Sequence, residues 1–199
     1  MATVYLTPAD HGRPITLEEF EHALGQEGYR YELIGGKVEV SPTPNFPHAL
    51  TVEWLQRLLD RYARRHGEVI NYVSSHPRVF VPGEAPVTAP EPDVAAYRGV
   101  PLDEAPETIR WQDLKPVLVA EILSADAVDK DTVRNVELYL RVPSVREYWI
   151  IDGRVNARCP SMTVYRRRGR QWQRPIAVAA GDTYSTRLLP DFTLRLTPR

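Results

Sequence analysis

The sequence predicts an α/β or α+β fold: a mixed β-sheet flanked by helices, with an N-terminal helix and hairpin. Three patterns carry that prediction. Residues 117–123 are apolar on both faces apart from Glu121, as in a strand covered from both sides. Residues 48–66 place Leu50, Trp54, Leu55, Leu58, Leu59 and Tyr62 at helical spacing. A second helical stretch, 129–141, lies between that strand and another at 145–151, which suits a crossover connection. With 43% apolar and 26% charged residues, the 199-residue chain can bury a sizeable core. That balance excludes whole-chain disorder, collagen and a disulfide scaffold.

In chain order, Thr16-Leu-Glu-Glu19 fits a capping box that opens a first helix, with Leu17, Phe20 and Leu24 on one face and an end near Gly25. Residues 29–34 and 37–40 read as a hairpin around Gly35-Gly36, stopped by Pro42 and Pro44. The long helix follows, its Arg57, Arg61, Arg64 and Arg65 facing outward near the C-terminal end. That placement suits the helix dipole without any ligand. Residues 68–74 and 78–81 read as strands separated around Pro77, then 94–97 as a short strand after Pro92. Residues 98–116 form an irregular excursion carrying Asp103, Glu104, Glu107 and Asp113. After the helix at 129–141 and the strand at 145–151, residues 162–166 and 171–178 pair antiparallel, and 191–196 supplies a last strand. One domain over residues 1–199 is expected, with 1–45 as an extension within it.

The charge balance is a cancellation. The first 140 residues hold 13 basic and 22 acidic side chains, net −9, and the remainder 12 and 4, net +8. A uniform basic face is therefore disfavoured, whereas a local basic surface is compatible. Lys37, Lys115 and Lys130 are the three lysines. Cys159 is the single cysteine, so no internal disulfide forms. Without a signal-like N-terminus or an 18-residue apolar run, the expectation is a cytoplasmic protein with no membrane segment.

Glu121 is the most informative residue. A carboxylate within a buried strand needs a metal, a basic partner or a solvent-exposed strand end. Asp93 enters the strand at 94–97. It is either a turn residue or, if the two strands are neighbours, a second ligand converging with Glu121 on one divalent ion. Oxygen donors favour magnesium or manganese. Glu32 alternates with Leu33 in the hairpin and is either a solvated carboxylate or a third member of that pocket. His48 opens the long helix, as a local loop contact, a metal contact or a phosphate contact.

In their order these landmarks resemble the Uma-type restriction-endonuclease family of the PD-(D/E)xK nuclease superfamily. The resemblance runs through Leu17-Glu-Glu-Phe20, Tyr31-Glu-Leu-Ile-Gly-Gly-Lys-Val38, His48, Pro92-Asp-Val94 and Glu121-Ile-Leu-Ser124. It continues through Asp131 with Tyr139, Val145-Arg-Glu-Tyr-Trp-Ile-Ile-Asp152 and Leu188-Leu-Pro-Asp-Phe192. It implies a restriction-endonuclease-like core and cleavage of nucleic acid, DNA foremost, dependent on Mg2+ or Mn2+. Asp93 and Glu121 would bind the ion, with Glu32 assisting directly or through water.

One departure matters. Leu123 stands two residues after Glu121, where the simple superfamily pattern has lysine. The Uma-type family places the basic group in an Asp-x-x-x-Lys-x-x-x-Tyr helix, and here the middle position is Asn135. Spacing of four puts Asp131, Asn135 and Tyr139 on one helical face. Asparagine hydrogen-bonds but brings no positive charge and is no practical general base. Lys130 and Arg134 are the candidates to compensate, Arg134 from a direction about 100° away. The leading expectation is metal-dependent phosphodiester hydrolysis using Asp93, Glu121, Glu32, Asn135 and Lys130, with His48, Arg134, Arg57 and Arg61 meeting phosphates. The alternative is a catalytically inactive nuclease-like protein acting in nucleic-acid binding, regulation or protein interaction. The C-terminal strands and sheet edges are compatible with a homodimer.

Overall fold

The computed structural model describes residues 3–124 and 129–198. Its strands are β1 (Tyr5–Leu6), β2 (Leu24–Gly25), β3 (Tyr29–Ile34), β4 (Lys37–Pro42), β5 (Tyr72–Ser75), β6 (Val94–Tyr97), β7 (Pro116–Ile122), β8 (Glu147–Asp152), β9 (Ser161–Arg168), β10 (Gln171–Trp172), β11 (Ile176–Val178), β12 (Thr183–Ser185) and β13 (Thr193–Arg195). The α-helices are α1 (Leu17–Glu21), α2 (Phe46–Ala63) and α3 (Asn135–Leu140), the last entered through a π-helical turn at Lys130–Arg134.

The main sheet runs β10-β9-β8-β7-β6-β5, with β11 also on β9. β7 and β8 are parallel, and their neighbours are antiparallel. The parallel pair requires a crossover, which the π turn and α3 supply. Alternation along β7 divides the core. Leu118, Ala120 and Ile122 pack with Leu55 and Leu59 of α2 and with Trp149 and Phe192. Val119 and Leu123 pack with Tyr139, Val145 and Tyr148 on the other face. Each fully buried Leu or Ile contributes about 1.5–3 kcal/mol of burial, enough in sum to tolerate a few buried charges near the strand ends. Glu121 shares the parity of Val119 and Leu123, so its carboxylate meets α3.

The β3–β4 hairpin closes a smaller core of Leu6, Ile15, Phe20, Leu33 and Val38. It docks through the Ala89 N–H on the Leu33 carbonyl (2.7 Å) and the Gly36 N–H on the Val87 carbonyl (2.8 Å). Gly36 has φ +69°, and a Cβ there would stand 2.5 Å from Pro86 Cβ, so only glycine permits this approach. Alternation sends Tyr31 and Leu33 into the small core and leaves Arg30 and Glu32 on the opposite face, toward the end of the main sheet.

Several local expectations are corrected. The capping box forms, with the Thr16 N–H on Glu19 Oε2 at 2.9 Å and the Glu19 N–H on Thr16 Oγ1 at 3.2 Å. The helix nevertheless ends at Glu21, because Leu24 and Gly25 pair in parallel with Tyr5 and Leu6. Residues 78–81 make two ladder-like bonds, Val79 N–H to Pro90 O and Val81 N–H to Thr88 O, but form no strand. Pro90 and Pro92 beside them cannot donate in return. The segment 171–178 divides into β10 and β11 around Pro175. The last strand shortens to β13, whose partner β12 was not anticipated. Among the described residues no helix is long and apolar enough to cross a membrane.

Candidate functional site

The N-terminal end of β6 and the C-terminal end of β7 lie side by side, with Val94 in register with Ala120. That register brings Asp93 and Glu121 together: the Asp93 N–H donates to Glu121 Oε2 at 3.1 Å, and the Ile122 N–H donates to Asp93 Oδ2 at 2.9 Å. Both carboxyls are buried, at 3% and 2% exposure. They floor a cleft of about 200 Å³ whose walls include Arg30, Ser41, Asn45, His48, Lys130 and Asp131.

Each carboxyl has its own set of partners. Asp93 Oδ1 accepts from Arg30 Nη1 at 2.7 Å, and its Oδ2 lies 3.0 Å from His48 Nε2. His48 is presented by the first turn of α2, where its N–H donates to the capping Asn45 Oδ1 at 3.1 Å. Burial pushes the Asp93 carboxyl up, but His48 and Arg30 outweigh it and hold the group well below 3.8. Glu121 Oε1 accepts from Asn135 Nδ2 at 2.9 Å and from the Tyr139 hydroxyl at 3.0 Å. Burial first, then the charges of Asp131 and Asp93, push Glu121 well above 4.5. Asn135 Nδ2 also donates to Asp131 Oδ1 at 3.1 Å, and Asp131 is raised to about 7, chiefly by burial.

Glu32 is the fourth buried acid of the site, with Asp93, Glu121 and Asp131. Its Oε1 accepts from the Glu91 N–H at 2.9 Å, and its Oε2 is 3.1 Å from both Lys130 Nζ and Arg134 Nη2. Burial raises it, but those two cations prevail and hold it below 4.5. Arg134 reaches the cleft and Asn135 as well, donating through Nε to Asn135 Oδ1 at 3.0 Å. Arg134 is the last residue of the π turn and Asn135 the first of α3.

Asp93, Glu121, Lys130 and His48 thus line one cleft, and Asn135, Glu32 and Arg134 join it from behind through Glu121 and Lys130. Arg57 and Arg61 do not. They lie nine and thirteen residues beyond His48 on α2, about 14 and 20 Å along its axis, and line a separate groove with Trp54, Leu58 and Arg64. Two residues at the cleft were missed from sequence, Arg30 and His76. The same alternation that turns Glu32 away from the small core places Arg30 on its face, and that was the available signal. His76 carried none.

A divalent ion needs carboxylate lone pairs free to coordinate it. Asp93 Oδ2 and Glu121 Oε1 each already have two partners, Asp93 Oδ1 is held by a guanidinium, and Glu121 Oε2 accepts from the Asp93 N–H. Among the described residues no group of three or more His, Cys, Asp or Glu side chains is arranged to hold a metal ion. The arrangement does not fit a resident cation.

A mixed sheet with helices on its faces, and paired acids at adjoining strand ends, defines a restriction-endonuclease-like protein. The chain matches the Uma2 family, described as "Putative restriction endonuclease", over residues 17–197, and it belongs to that family. This membership accords with the PD-(D/E)xK nuclease superfamily. Among solved structures, one described as a "putative nuclease belonging to DUF820" from Anabaena variabilis superposes with a TM-score of 0.68 at 18% identity, covering 92% of this chain and 96% of that one. No curated protein matches.

Proposed function

We propose that this chain is a nuclease-fold protein that binds nucleic acid at the Asp93–Glu121 cleft without hydrolysing it. The observation that carries this reading is the placement of Asn135. Its amide occupies the position where the family pattern has lysine, and it bridges Glu121 to Asp131 by hydrogen bonds alone. It supplies no charge to a phosphoryl transition state and takes no proton from water. Lys130 and Arg134 are in reach of the cleft, but both are paired with Glu32. Family membership supports nucleic acid as the partner, with DNA the first substrate to test. The one-domain reading of residues 1–199, with 1–45 as its extension, belongs to this proposal.

The second reading is Mg2+- or Mn2+-dependent cleavage, and one observation favours it. Beyond burial, the charges of Asp131 and Asp93 push the Glu121 carboxyl up, and Asp93 pushes Asp131 up, a crowding of acids that a cation would relieve. In that case Asp93 and Glu121 would hold the ion after giving up their present partners, and Arg30, now 2.7 Å from Asp93 Oδ1, would be the nearest positive side chain. The deciding experiment incubates the protein with labelled duplex DNA in EDTA, Mg2+ or Mn2+ and follows both binding and product. The proposal expects binding in EDTA and intact DNA in all three. Product that requires the metal favours cleavage, and failure to bind DNA in EDTA refutes the proposal.

A further inference from the structure

Arg30 is a cation built against Asp93. We propose that Arg30 is the resident cation of this cleft, satisfying Asp93 in place of a divalent ion and, with Lys130, offering its remaining N–H donors to a nucleic-acid phosphate. The phosphate ligand rests on the binding reading above, whereas the exclusion of a metal rests on the geometry alone.

Two anchors fix the guanidinium. Nη1 donates to Asp93 Oδ1 at 2.7 Å, and Nη2 bonds His76 Nε2. His76 has φ +54°, a left-handed conformation uncommon outside glycine, and its N–H donates to the Asp93 carbonyl at 3.2 Å. A backbone outlier clasped to the same aspartate is what a purpose-built contact shows. A guanidinium has donors alone, so His76 Nε2 takes the acceptor role in this contact. A dication brought to Asp93 Oδ1 would meet a like charge already bonded to that oxygen, a strong repulsion in a buried setting.

The same guanidinium is equipped to take an anion. Its contacts use two of the five N–H donors of an arginine. A quarter of the side chain stays exposed along the cleft, beside Ser41, Thr43 and Lys130. Planar N–H pairs of this kind suit phosphate oxygens.

The test compares the wild type with Arg30→Gln, Arg30→Lys and the double variant Arg30→Gln/Asp93→Asn. Thermal midpoints are read against Mn2+ concentration, and affinity for a short DNA duplex is read in EDTA. The wild type and Arg30→Lys, which both keep a charge on Asp93, should show no Mn2+-dependent rise. Arg30→Gln should gain a rise by mass action that the double variant loses. Arg30→Gln should also bind the duplex about tenfold more weakly, with a salt slope smaller by about one. A rise in the wild type or Arg30→Lys as large as in Arg30→Gln overturns the proposal, as does no rise in Arg30→Gln or unchanged duplex affinity. Should Arg30→Gln fail to fold, a Mn2+-induced rise in Arg30→Lys alone still refutes it, and its absence with retained DNA binding supports it. A wild type that binds no duplex refutes the nucleic-acid reading, while the Mn2+ arms still decide the role of Arg30 toward metal.

Discussion

Replacing Asn135 with alanine should destabilise the protein substantially. Asn135 is fully buried and makes three bonds, to Glu121 Oε1 at 2.9 Å, to Asp131 Oδ1 at 3.1 Å and from Arg134 Nε at 3.0 Å. Glu121 Oε1 keeps the Tyr139 hydroxyl, and Arg134 keeps Glu32 and part of its exposure. Most of the loss therefore falls on Asp131, with a smaller share on Glu121. A buried polar group that loses its partner costs about 1–3 kcal/mol, so the two shares with the small cavity come to about 2–4 kcal/mol. Urea unfolding followed by tryptophan fluorescence at pH 7 measures this. With a slope of about 3 kcal/mol per molar, the midpoint should fall by about 1 M. A fall below about 0.3 M would refute the bridging role assigned to this amide.

Three further outcomes follow from the same geometry. Asp131 is raised from 3.8 to about 7, so the folded state holds its proton more tightly than the unfolded chain. Its contribution is present below about pH 4 and is lost as pH rises toward 7, at up to about 1.4 kcal/mol per pH unit. Asp131→Asn should thus raise the thermal midpoint at pH 8 and leave it unchanged near pH 4; equal effects at both would contradict this. Glu147 is buried and accepts from Trp149 Nε1 at 2.8 Å, from the Tyr184 hydroxyl at 3.0 Å and from the Thr186 hydroxyl, tying β12 to β8. Glu147→Ala should cost about 3–5 kcal/mol in urea unfolding, with duplex affinity held at temperatures where the variant is folded. Arg57→Ala and Arg61→Ala, remote from the cleft, should change duplex affinity less than Lys130→Ala; the reverse order would move the binding surface to α2.

Local chemistry made much of this legible in the sequence. The alternation of Tyr29–Ile34 and the two glycines that follow specify the hairpin, and it forms with Ile34 opposite Lys37. Spacing of four places Asp131, Asn135 and Tyr139 together, and their side chains do meet around Glu121. What stayed hidden was set by distance along the chain. Arg30 finds Asp93 sixty-three residues away and His76 forty-six residues away, pairings that no local pattern encodes. The π turn was also invisible, because it spans only Lys130–Arg134, too short a stretch to show a periodicity of its own. Arg134, at the end of this turn, bonds both Glu32 and Asn135. The exchange of α1's last turn for β2 has a similar origin, since β1, nineteen residues earlier, supplies the competing partner.

The most direct test is turnover of labelled duplex DNA by the wild type in Mg2+ and in Mn2+, beside Asp93→Ala and Glu121→Ala. Bound, uncut DNA is expected with the wild type under both metals, with no difference in product among the three proteins. Metal-dependent product from the wild type that disappears in both variants would contradict it and restore hydrolysis at Asp93 and Glu121.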